Sequence, residues 1–90
     1  MAKTLATNDA RGRLLMAGRV MAGLDQDQLA RRSGVSAATI SNIERGNGGR
    51  DETISSIRSA LRKSGVSVLW DTKNGLASVS LVYEKPDSEE

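Results

Sequence analysis

The stretch Leu24-Asp25-Gln26-Asp27-Gln28-Leu29-Ala30-Arg31-Arg32-Ser33-Gly34-Val35-Ser36-Ala37-Ala38-Thr39-Ile40-Ser41-Asn42-Ile43-Glu44-Arg45-Gly46 decides the fold. Asp25 is a helix-capping residue, because its side chain accepts from the free N–H groups of a first turn. It predicts a short helix over Gln26 to Ser33, broken by Gly34. Ser36 caps the next helix, Ala37 to Arg45, and Gly46 ends it. Leu29 and Ala30 on the first helix, Val35 in the turn, and Ile40 and Ile43 on the second can face one core. Ala30 is small where the two helices must approach. Two short helices across a glycine turn make the helix-turn-helix arrangement.

The flanks extend this pattern. Residues 1–7 read as a flexible start, and Asn8 as the cap of a helix running to about Ala22, with Asp9 in its first turn. Leu14, Leu15, Met21 and Leu24 supply its apolar side, and Gly23 stands where a helix-ending glycine belongs. Gly12 and Gly18 each weaken it by about 1 kcal/mol against Ala; Gly18 would allow a close crossing. After the Gly-rich loop from Asn47 to Arg50, Asp51 or Glu52 opens a fourth helix ending near Ser64, with Ile54, Ile57 and Leu61 as its stripe.

Beyond Gly65 the period changes from helical to alternating, and Val66–Asp71 and Leu76–Tyr83 read as strands. Asn74-Gly75 is a preferred two-residue hairpin turn. It would pair Lys73 with Leu76, Trp70 with Val79, Val68 with Leu81 and Val66 with Tyr83, collecting the last three pairs on one face. A longer turn starting at Asp71 is the alternative. The fold class is thus mainly α with a C-terminal β-hairpin. The segments are a helical unit over 8–64, the hairpin over 65–83, and a disordered acidic tail over 84–90.

Composition narrows the chemistry. The 90 residues suffice for one domain. Trp70 and Tyr83 are the only aromatics, so the core must be aliphatic. With no Cys and no His, a disulfide framework is impossible and no metal site, cofactor or enzyme is expected. Asn47-Gly48-Gly49 lacks the Lys and Ser/Thr that complete a phosphate loop. No apolar run is long enough to span a bilayer, and a cytoplasmic location is expected. Net charge is +2, but Glu84–Glu90 carry −3 and the other residues +5. A basic body suits a polyanionic partner.

Leu24 to Ala30, Ser33 to Ser36 and Thr39 to Gly46, with Arg19 upstream, resemble the Cro/C1-type (XRE-family) helix-turn-helix; the agreement covers about residues 11–64. The resemblance implies a lambda-repressor-like helical domain that binds double-stranded DNA. It makes Ala37, Ala38, Ser41 and Asn42 the base-edge readers. Asn42 could hydrogen-bond adenine N6 and N7, and the alanines could meet a thymine methyl. It also implies that Gln26 contacts phosphate and braces the recognition helix, and that Arg19 and Glu44 form a structural ion pair. From position, Ser36, Thr39, Arg45, Asn47 and Arg50 flank the reader surface and are expected to contact the DNA backbone. Arg31 or Arg32 could also reach it. The recognition helix lacks long Gln, Arg or Lys readers, so DNA shape is expected to add discrimination.

An isolated hairpin is marginal in water, so its apolar face must pack on its own helices or on a second chain. The expectation is a homodimer interface built on Val68, Trp70, Val79, Leu81 and Tyr83, because palindromic operators call for two-fold proteins. Gly65 to Asn74 also resembles the end of HipB-type antitoxins. The favoured reading is a transcriptional regulator, a repressor more than an activator. An antitoxin with a cognate toxin partner is the alternative.

Overall fold

The computed structural model describes residues 7–71 and 73–82. The readings of residues 1–6, of Tyr83 and of the tail 84–90 lie outside the described residues. Four helices are followed by one antiparallel hairpin: α1 Asn8–Met21, α2 Gln26–Ser33, α3 Ala37–Glu44, α4 Asp51–Lys63, β1 Val66–Asp71 and β2 Leu76–Leu81. Among the described residues no helix is long and apolar enough to cross a membrane.

Local chemistry sets these boundaries. α1 is capped by Thr7 and not by Asn8: Thr7 Oγ1 accepts from Ala10 N at 3.1 Å, and Asn8 is already helical. α2 carries a reciprocal capping box. Asp25 Oδ1 accepts from Gln28 N at 2.7 Å, and Gln28 Oε1 accepts from Asp25 N at 2.8 Å. Ser36 Oγ accepts from Thr39 N at 3.1 Å to start α3, which ends at Glu44 with Arg45 as its C-cap.

The core is aliphatic. Leu15, Leu24, Leu29, Ile40, Ile43, Ile54, Ile57, Ala60 and Leu61 are buried together with Val66 and Val68 of the hairpin. The buried line of α1 is Gly12, Leu15 and Gly18. Met21, expected on that side, is instead exposed, because it falls on the flank of the helix away from Leu15. Gly12 and Gly18 are there for distance. A Cβ on Gly12 would collide with the carbonyl oxygen of Ile43 and lie 3.1 Å from that of Glu44. A Cβ on Gly18 would lie 2.6 Å from Val68 Cγ2 and 3.2 Å from Leu61 Cδ1. Gly12 thus seats α3 directly on the α1 backbone. The close approach at Gly18 is made by strand β1 and the side of α4.

The hairpin register differs from the two-residue-turn expectation. Val66 pairs with Leu81, Val68 with Val79, Trp70 with Ala77 and Asp71 with Leu76. The turn therefore starts at Asp71, as in the alternative reading. The cause is the Asp71 side chain. Oδ1 accepts from Lys73 N at 3.1 Å and Asn74 N at 3.2 Å, and Oδ2 accepts from Asn74 Nδ2 at 2.7 Å. A type I′ turn needs positive φ at Asn74, and among the described residues only glycines have it. The slip is two residues, so the same side chains stay on one face.

That face packs on the chain's own α1 and α4. Val68, expected in a dimer interface, is only 3% exposed and belongs to the core of its own chain. Trp70 is half-buried with two guanidinium groups within reach of its ring, Arg58 at 4.6 Å and Arg11 at 5.5 Å from the centroid. Arg58 Nε also donates to Val68 O at 3.0 Å. Val79 is half-buried, while Leu81 is 62% exposed; Leu69 and Leu76 are exposed as well.

Two measurements follow from this packing. Gly12→Ala should lower stability by about 1–3 kcal/mol by overpacking, although it improves helix propensity by about 1 kcal/mol; an unchanged urea midpoint would show that α1 and α3 can move apart. Bonding to Asn74, above all, holds the Asp71 carboxyl below its ordinary value. The turn is therefore stabilised at neutral pH and loses that stabilisation only as pH falls through this lowered pKa. The Lys73 and Asn74 amide shifts should titrate with a midpoint below about 3.9, and a midpoint at or above that value refutes the assignment.

Candidate nucleic-acid interface

A three-residue lock sets the helix pair. Arg19 on α1 meets Glu44 at the end of α3 in a two-bond fork, Nε to Oε2 at 2.8 Å and Nη2 to Oε1 at 3.0 Å. Gln26 at the start of α2 donates from Nε2 to the same Oε1 at 3.0 Å. Arg19 Nη1 also donates to Leu24 O at 3.0 Å, tying in the α1–α2 connection. Among the described residues Glu44 is the one buried charged side chain, at 6% exposure, and it has no unpaired oxygen. Bonding to Glu44 raises the Arg19 pKa, against the opposing effect of burial. The Arg19 guanidinium therefore keeps its charge.

The opposite side of α3 is open. Ala38 and Asn42 are exposed, and Ala37, Thr39 and Ser41 are half-exposed beside them. Small residues at 37, 38 and 41 leave the helix slim on this side, as entry into a major groove requires. Gln26 keeps a second amide proton beyond the one it gives to Glu44, so bracing α3 leaves it one donor. Ser36 is more committed than its position suggested. Its Oγ accepts from Thr39 N and donates to Thr39 Oγ1 at 2.9 Å. The free hydroxyl proton of this pair is that of Thr39. Asn47 and Arg50 are exposed in the loop before α4. Arg45 is exposed too, but its Nη2 donates to Asn42 Oδ1 at 2.7 Å.

Several contacts were not foreseen. Arg32 points away from the α3 surface and donates from Nη1 to Ser64 Oγ at 3.1 Å, joining the ends of α2 and α4. Arg58 escaped notice altogether. Its position one turn after Ile54 puts it at the margin of the α4 apolar stripe, and that is the signal that could have found it.

Breaking the lock should be costly, because it strands a largely desolvated guanidinium. Glu44→Gln is expected to reduce stability by about 3 kcal/mol, read from chemical denaturation. A loss under about 1 kcal/mol would mean that helix packing alone orients α3.

Comparison with known proteins agrees with this geometry. A search of curated proteins finds no match. A helix-turn-helix family model matches residues 15–65, which takes in the second half of α1, all of α2 to α4 and the residues that form the lock. The chain belongs to the Cro/C1-type (XRE) helix-turn-helix family, DNA-binding transcription regulators with a lambda-repressor-like helical fold.

Proposed function

We propose that the protein is a repressor that binds a palindromic operator as a homodimer, each chain placing α3 in the major groove of one half-site. The observation that carries this reading is the division of α3 into two sides. Ile40, Ile43 and Glu44 are buried against the other helices, while Ala38 and Asn42 face outward with Thr39, Ser41 and Arg45 around them. Ala37, Ala38, Ser41 and Asn42 would read base edges. Thr39, Gln26, Asn47 and Arg50 would hold the phosphates on either side. Such a protein works in the cytoplasm, where its operator is.

Dimerisation is supported by the unspent apolar surface of the hairpin. Leu69 and Leu76 lie on its outer face, and Leu81 is open at the far end of β2. With Val68 in its own core, Leu69 and Leu76 join Leu81 of the interface first expected. The same leucines also suit a toxin, so an antitoxin that represses its own operon is the second reading. Co-purification with the product of an adjacent gene would favour it.

Selection from a random DNA pool should yield a palindrome whose half-site centres lie about 10 bp apart or a multiple of that. Sedimentation should show two chains on it. An asymmetric site holding one chain rules out the dimer, and the lack of any preferred sequence rules out the operator. Arg50→Ala should weaken binding to all sequences alike and reduce the salt slope by about 1. An unchanged slope removes Arg50 from the phosphate contacts.

A further inference from the structure

We infer that Arg45 determines which base Asn42 reads, and that the pair selects guanine over adenine; this rests on α3 entering the major groove as proposed above. The observation is the 2.7 Å bond from Arg45 Nη2 to Asn42 Oδ1. A guanidinium only donates, so the amide atom facing it has to be the carbonyl oxygen. That removes the usual ambiguity in the direction of an asparagine amide. Nδ2 is left with two protons and no partner among the described residues. Both side chains are exposed, Asn42 in the last turn of α3 and Arg45 as the cap that follows it.

Adenine shows the major groove an acceptor at N7 beside a donor at N6. To hold adenine by both, Asn42 must offer Oδ1 to the N6 proton. Here a cationic guanidinium already occupies Oδ1, and a second N–H pointed at the same atom would meet that positive charge. Guanine shows two adjacent acceptors, N7 and O6. Asn42 Nδ2 and the other N–H groups of Arg45 form a run of donors that fits them. Cytosine presents a donor, and thymine a single acceptor, so neither matches as well. Arg45 thereby becomes a positioning residue for base readout, in place of the phosphate clamp expected from its position alone.

The test is selection from a random DNA pool with the full chain, with Asn42→Ala and with Arg45→Met. The position that loses its information in Asn42→Ala is the one Asn42 reads. Wild type should show guanine there, and Arg45→Met should lower the guanine-to-adenine ratio about tenfold while other positions hold. Adenine there in wild type overturns the inference. So does a guanine preference that survives Arg45→Met, even if total affinity falls, or an Asn42→Ala selection that matches wild type at every position. If wild type enriches no sequence, the DNA-reading proposal itself fails and this inference with it; an enriched motif with the wrong base sinks the inference alone.

Discussion

Glu44 is where three helices are made to agree. A buried carboxylate is tolerated only when its oxygens are bonded and its charge is matched. Arg19 supplies the charge and two donors, and Gln26 supplies a third. Those partners come from α1 and α2, so the last turn of α3 can satisfy its acid in one orientation only. Apolar packing through Leu29, Ile40 and Ile43 brings the helices together. It is non-directional and would tolerate small rotations. The fork on Glu44 does not, and a reading helix has to be placed to within a fraction of a base-pair step.

The hairpin solves a different problem. A small helical unit leaves the seam between α1 and α4 uncovered, and Val66 and Val68 fill it. Arg58 secures the strand from the side by taking the Val68 carbonyl, while its guanidinium stacks on Trp70. One side chain thus satisfies a backbone acceptor at the sheet margin and shields an aromatic ring. The hairpin is an integral wall of the core, and its contribution to any assembly has to come from the side chains it leaves exposed, Leu69, Leu76 and Leu81.

Most of the fold was legible because the helix boundaries rest on local chemistry. Asp25, Ser36 and the glycines at 23, 34 and 46 act within a few residues of themselves, so the two central helices could be placed almost to the residue. The hairpin register was not legible for an equally physical reason. A shift of two residues leaves every side chain on the same face, so alternation cannot distinguish the two pairings. What decided was the Asp71 carboxylate gathering three N–H groups. The site was legible as a set of positions but not as a set of bonds. That Ser36 spends its proton on Thr39, or that Arg45 leans on Asn42, depends on rotamers that no spacing encodes.

The seating of α1 on α3 at Gly12 has a consequence for how this protein can change over time. The contact is glycine against the carbonyl oxygens of Ile43 and Glu44, backbone against backbone. It takes nothing from the side chains on the outer half of α3, and neither does the fork on Glu44. The residues that hold the helix and those that face outward are separate sets on one short element. Substitutions at 37, 38, 41 or 42 can therefore accumulate without eroding the frame. A lineage built on this chain could exchange one target sequence for another through single steps, each of them a folded protein.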